Sequence, residues 1–181
     1  MRYVITGNGA AGVEAALSIR KNDPEGEIEI ISSSAEPHYY RPRLVEYLAG
    51  EIPFQRFTLY SEKFYESRMI SNRLNTRIEK IDIAGKRIID ERNNPIPYDR
   101  LLLATGARSF IPPVEGAGKT GVFSLRELPD ADRIINYIRG REEIAVIGGG
   151  LLGLETAHSL SRIGKNVTVI EFAPHLLPRQ L

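Results

Sequence analysis

Two glycine-rich turns, Gly7-Asn8-Gly9-Ala10-Ala11-Gly12 and Gly148-Gly149-Gly150-Leu151-Leu152-Gly153, stand 141 residues apart in this 181-residue chain. Each follows a short apolar run, Tyr3–Thr6 or Ile144–Ile147, and each opens a stretch with apolar residues at helical spacing, as at Val13 and Leu17. Strand, turn, helix and strand therefore occur in that order twice, with the second strands at Glu27–Ile31 and Val167–Glu171. In a G-x-G-x-x-G turn the first glycine permits a tight bend and the second lets a pyrophosphate approach the backbone. The third allows close helix–sheet packing, and the helix N-terminus faces the phosphates. Gly7, Gly9, Ala10, Ala11 and Gly12 are thus one candidate phosphate cradle; Gly148, Gly150, Leu151, Leu152 and Gly153 are a second.

The residues that end the two second strands differ. Glu171 lies 23 residues after Gly148, close to the roughly 20-residue spacing of the acid that binds a ribose hydroxyl pair. A carboxylate there accepts hydrogen bonds from a 2′-OH and repels a 2′-phosphate, which favours NADH over NADPH at the second turn. After Glu27–Ile31 come Ser32-Ser33-Ser34, and Glu36 follows somewhat late. Either a serine hydroxyl of Ser32 or Ser33 replaces the carboxylate, or Glu36 reaches back; the serines are preferred. The plain alternative is that all three serines make a turn.

Between the two units the spacing predicts a short helix over Leu44–Leu48 and a helix capped by Ser61 that runs to about Ser67. Arg77–Ile83 and Arg87–Asp90 read as strands that, with Ile96-Pro97-Tyr98, form a small meander before the strand Leu101–Ala104. Pro112-Pro113 and Gly116-Ala117-Gly118 form a connector, and a helix is expected over about Leu128–Arg139, ended by Gly140.

Lys and Arg total 24 against 23 Asp and Glu, so no global field argues for nucleic acid or an anionic membrane. The apolar runs fall far short of a bilayer span, and the first residues run into glycines where a secretory signal would place an apolar stretch. A cytoplasmic protein is expected. Cysteine is absent, which removes disulfides, thiolate metal sites and thiol redox chemistry, and no metal site is expected.

Together with the two turns, Tyr98-Asp99-Arg100-Leu101-Leu102-Leu103-Ala104-Thr105-Gly106-Ala107-Arg108 resembles the pyridine nucleotide-disulfide oxidoreductase superfamily. In that superfamily the first turn binds FAD and the second NAD(P)H, and the Ala-Thr-Gly segment is a second FAD signature. The resemblance implies that Ala104, Thr105 and Gly106 lie beside FAD. Tyr39-Tyr40-Arg41-Pro42-Arg43-Leu44 is similar to the corresponding stretch of NADH:rubredoxin reductases and the flavin regions of nitrite reductases, which implies that Arg41 and Pro42 approach the flavin or the pyrophosphate. Related ferredoxin reductases often carry a lysine shortly after that pair, where this chain has Leu44-Val45-Glu46. The match also places Glu155 near the nicotinamide; the plain alternative is a carboxylate in the first turn of a helix.

The implied fold is α/β: a Rossmann-like FAD-binding βαβ with a three-stranded meander over residues 1–116, then a linker helix and the first βαβ of an NAD(P)H-binding domain over 117–181. Because family members continue beyond such a point, the chain reads as truncated, with too few strands for a second sheet. The implied activity is FAD-dependent NADH oxidation. Without cysteine the electrons would leave for an external acceptor such as rubredoxin, another small redox protein or a fused centre. The alternative is a nucleotide-binding subunit or fragment without activity of its own, completed by another chain.

Overall fold

The computed structural model describes residues 1–178. In chain order the elements are β1 (Arg2–Thr6), α1 (Ala10–Asn22), β2 (Glu27–Ile31), α2 (Leu44–Leu48), α3 (Glu62–Glu66), β3 (Ile70–Arg73), β4 (Ile78–Asp82), β5 (Arg87–Asp90), β6 (Pro95–Pro97), β7 (Arg100–Leu103), α4 (Leu128–Tyr137), β8 (Glu143–Ile147), α5 (Leu151–Arg162) and β9 (Asn166–Ile170). Single 3-10 turns at Arg41–Arg43 and Phe54–Arg56 flank α2. The chain forms two compact units: Met1–Tyr39 with Thr58–Ala107, and Tyr40–Phe57 with the chain from Arg108 onward.

In the first unit four parallel strands pair in the order β3-β2-β1-β7. The chain moves outward from β1 to β2 and β3, then returns to the other side of β1 with β7. The carboxyl ends of β1 and β7 therefore flank the point where strand order reverses, the place where open α/β sheets bind ligands. One face of the sheet buries Ile5, Ile28, Ile30 and Ile70 against Val13 and Ala16 of α1 and Tyr65 of α3. The other face buries Val4 and Ile31 against Ile88 and Ile96 of the antiparallel meander β4-β5-β6. Each fully buried aliphatic side chain stabilises by about 1.5–3 kcal/mol.

Covering both faces changes the meaning of the Glu-Ile-Glu-Ile alternation in β2. On a one-sided sheet Glu29 would stand in water; under the meander it is 4% exposed. It is retained there by Arg2, at 3.1 Å, and by Arg73, which pair with its two carboxylate oxygens. The strand β3, Ile-Ser-Asn-Arg, has no legible apolar pattern. It exists because its backbone completes the ladder to β2, with Ile70 opposite Ile28 and Arg73 opposite Ile31.

In the second unit β8 and β9 pair in parallel, with α5 against one face. Ile144, Val146 and Val167 point into a core made by Leu160 of α5, Ile134, Ile135 and Ile138 from α4 and its end, and Leu48 of α2. Tyr47 donates to Asp132 at 2.7 Å, joining α2 to α4, and Arg162 meets Glu51 at 3.1 Å. The opposite face of this two-stranded sheet is open: Ile147 is 70% exposed and Ile170 52%.

The division between the two compact units is not a single point in the sequence. It falls at Ala107/Arg108, and the excursion Tyr40–Phe57 packs with the later residues. The cause is the apolar side of α2, whose Leu48 needs α4 and α5 for its burial. Ser61 occupies the N-cap of α3 as expected, but its side chain makes no capping hydrogen bond. The cap that forms is one not expected, a box at α4 in which Asp130 accepts from the Glu127 N–H at 2.9 Å. Among the described residues no helix is long and apolar enough to cross a membrane.

Candidate dinucleotide sites

The two glycine turns are local copies of each other. Gly7 and Gly148 adopt φ of +113° and +108°, where a side chain is strained. Each donates its N–H at 2.8 Å to the last residue of the second strand of its unit, Ile31 or Ile170. At the third glycine a Cβ on Gly12 would lie 2.0 Å from the Gly7 carbonyl oxygen, and one on Gly153 would lie 2.0 Å from that of Gly148. These positions are closed to any side chain because helix and turn touch there. The middle glycines are the opposite case. Around a Cβ built on Gly9 or Gly150 there is nothing within 4 Å.

Gly9 and Gly150 are also the N-caps of α1 and α5. Neither helix has a side-chain cap or an acidic residue in its first turn. Each helix thus presents uncapped N–H groups and the positive end of its dipole to open space beside a bare glycine. That is the arrangement that receives a phosphate group. Ala10, Ala11, Leu151 and Leu152 are exposed at these two ends, so the residues present fit a dinucleotide pyrophosphate at both turns.

The first turn is completed from β7. Because β7 lies beside β1, its continuation reaches the crevice: the Ala104 N–H donates to Thr6 at 2.8 Å, and a Cβ on Gly7 would lie 2.1 Å from the Ala104 carbonyl oxygen. Thr105 and Gly106 follow, exposed, with Gly106 at φ +71°. The fold thus brings Gly7 against Ala104 and Thr105, although 97 positions separate Gly7 from Ala104.

The ends of the second strands can now be compared in register. Since Gly7 bonds to Ile31 and Gly148 to Ile170, Ser32 is the counterpart of Glu171. The Glu171 carboxylate accepts from the Ala173 N–H at 2.8 Å and from the Gly149 N–H at 2.6 Å. The Ala173 N–H, then that of Gly149, hold its carboxyl below the usual carboxylate range, so it is a fixed negative charge at the turn. Ser32 is half-buried, and its hydroxyl accepts from the Ser34 N–H at 3.1 Å, while Ser33 is exposed. Glu36, the other candidate, is half-buried and donates its backbone N–H to Ser34 Oγ at 3.4 Å.

Three candidates lie outside the two turn sequences. Arg41 and Pro42 form the 3-10 turn before α2 and belong to the second unit, where Arg41 meets Glu127 at 3.6 Å. Glu155 is exposed on α5. It is the fifth residue of that helix, which starts at Leu151, and so lies beyond the first turn in which the plain reading placed it. Asn8 carries no signal of its own in the sequence. It is 8% exposed between the two glycines, accepts a hydrogen bond from Tyr65 Oη at 3.1 Å, and carries a buried Nδ2 with no hydrogen-bond partner among the described residues. Its variable position in the motif hid it.

A parallel sheet with a glycine turn and an uncapped helix at its switch point is a Rossmann-type dinucleotide-binding unit, and the turn is present twice. The chain belongs to the pyridine nucleotide-disulphide oxidoreductase family, which it matches over residues 1–181. It is 40% identical over 183 residues to the nitrite reductase [NAD(P)H] of Bacillus subtilis, covering 99% of this chain and 22% of that protein. It is 37% identical over 180 residues to the rubredoxin-NAD(+) reductase of Pseudomonas putida, covering 99% of this chain and 47% of that one. Among solved structures it resembles a chain of the covalent putidaredoxin reductase–putidaredoxin complex, at a TM-score of 0.88 and 33% identity, over 98% of this chain and 44% of the other. The chain thus spans less than half the length of these relatives.

Proposed function

We propose that this chain is the electron-entry part of an FAD-dependent NADH oxidoreductase that passes electrons to an external acceptor, a small redox protein such as rubredoxin or a fused redox centre. The observation that carries this reading is the pair of matching glycine turns, together with the Ala104 carbonyl that closes on Gly7 of the first. A relative named for rubredoxin and a structural neighbour bound to putidaredoxin support the class of acceptor.

On this reading Gly7, Gly9, Ala10, Ala11 and Gly12 hold the FAD pyrophosphate through backbone N–H groups, while Ala104, Thr105 and Gly106 line the crevice beside it. Ser32 and Ser33 stand where the adenosine ribose ends, and Arg41 and Pro42 approach the flavin or pyrophosphate. At the second turn Gly148, Gly150, Leu151, Leu152 and Gly153 receive NADH, with Glu171 as the ribose acceptor. Its fixed charge repels a 2′-phosphate, which supports NADH over NADPH. On the same reading Glu155 stands near the nicotinamide. FAD held at the first turn would supply two-electron acceptance from a hydride donor and one-electron release. The chain supplies position and electrostatics, and with no cysteine it offers no disulfide relay.

Anaerobic titration of the full-length protein with NADH tests the proposal. Loss of the flavin absorbance on stoichiometric NADH is expected; an unbleached flavin would sink it. The open face of β8–β9, with Ile147 and Ile170 exposed, favours a second reading, a nucleotide-binding component completed by further polypeptide. That reading predicts bound FAD that NADH does not bleach.

A further inference from the structure

Tyr65 of α3 is 1% exposed, and its hydroxyl makes two hydrogen bonds deep in the first unit. It donates to Asn8 Oδ1 at 3.1 Å and accepts from the backbone N–H of His38. These partners lie on different segments. Asn8 belongs to the glycine turn after β1, and His38 to the loop that follows Ser32–Ser34 after β2. A dinucleotide in such a crevice spans those two segments, with its pyrophosphate at the turn and its adenosine ribose at the end of the second strand. The distance between them is therefore a binding parameter, and one side-chain oxygen bridges it.

The ring of Tyr65 does not need that oxygen for its packing. It sits edge-on to Phe64 at 5.5 Å and to Tyr60 at 6.3 Å, among Ile5, Val13 and Ile70. A phenylalanine would fill the same space. Asn8 adds a second observation: among the described residues its buried Nδ2 has no hydrogen-bond partner, in a turn whose other polar groups are backbone. Buried polar groups are ordinarily hydrogen-bonded, so an under-satisfied buried amide calls for an explanation.

We propose that Tyr65 is a positioning residue for the first dinucleotide site: through Asn8 and His38 its hydroxyl holds the glycine turn and the post-β2 loop at the separation FAD requires. The inference rests on the assignment of FAD to the first turn. It adds a residue, outside both motifs, on which cofactor affinity depends.

The test uses full-length apoprotein, with FAD affinity read by fluorescence quenching and NADH affinity and the apoprotein melting temperature read in parallel. Tyr65→Phe is expected to weaken FAD about tenfold, the size of one well-placed hydrogen bond, with NADH affinity unchanged. Asn8→Ala is expected to weaken FAD as well, and the double variant to lose less than the product of the single losses, because the two residues act through one contact. A wild-type FAD affinity in Tyr65→Phe, whatever its melting temperature, overturns the proposal. Losses that multiply in the double variant overturn the route through Asn8. Should Tyr65→Phe not fold, a wild-type affinity in Asn8→Ala overturns it instead. Absence of FAD binding by the wild-type protein would count against the FAD assignment itself.

Discussion

The glycines of each turn separate into those that close a contact and those that leave room for one. A Cβ on Gly12 would collide with the Gly7 carbonyl oxygen at 2.0 Å, so Gly12→Ala must part helix from turn and is expected to cost about 3 kcal/mol or more of stability. Gly9→Ala meets nothing within 4 Å and its φ is −93°, so its cost should be about 1 kcal/mol or less, that of a poorer N-cap. Urea midpoints should therefore fall sharply for Gly12→Ala and little for Gly9→Ala, while FAD content should be lost in both. Equal stabilities would contradict the geometry. At the second turn, Glu171→Ala removes the charge that two backbone N–H groups hold in place. The ratio of NADH to NADPH affinity is expected to fall at least tenfold, measured as Kd for each nucleotide, with FAD binding unchanged. Both motifs were readable because glycine chemistry is local. Asn8 was not, since its importance comes from Tyr65, 57 residues away.

Strands and helices carry the next level of consequence. Glu29 in β2 is buried beneath the meander and paired with Arg2 and Arg73, whose side chains are 31% and 43% exposed. Glu29→Ala removes the buried acceptor that the two arginines share, while Arg2 keeps its 3.5 Å contact to Glu27. The expected cost is about 2–4 kcal/mol, moderated because both arginines reach water. A urea midpoint unchanged from wild type would show the triad to be inert. The short helices α2 and α3 contribute a pH dependence. The bond to Asp132 raises the Tyr47 phenol to about 12, and burial raises that of Tyr65 to about 12. Both folded values exceed the usual value near 10, so the contribution is complete below about pH 10 and is lost as pH rises toward 12. Stability measured between pH 9 and 11.5 should decline, and Tyr47→Phe or Tyr65→Phe should flatten the decline. The helix at Leu44–Leu48 and the strand at Glu27–Ile31 were legible to the residue because their apolar spacing is complete within the segment. The strand β3 was not, because its only warrant is a ladder to β2.

For the molecule as a whole, connectivity matters more than linear order. Tyr40–Phe57 interrupts the sequence of the first unit, yet α2 packs with α4 and α5 through Leu48, Leu160 and Ile138. The exposed stretch Pro112–Val114 precedes α4. A single cut there should leave two fragments that still co-elute on size exclusion, because α2 remains in the core with α4 and α5. Fragments that separate in native buffer would show this core to be too weak to hold. The sequence alone established that two dinucleotide-type βαβ units exist and which glycines make them, since turns, helix starts and strand periodicity are dictated over a few residues by backbone sterics. Contacts at long range settled the rest: that Ala104 abuts Gly7, that Ser32 is the counterpart of Glu171, that Glu29 is buried, and that α2 packs with the later residues. Those facts depend on which strands pair and which apolar faces find cover, and neither is encoded in any one segment.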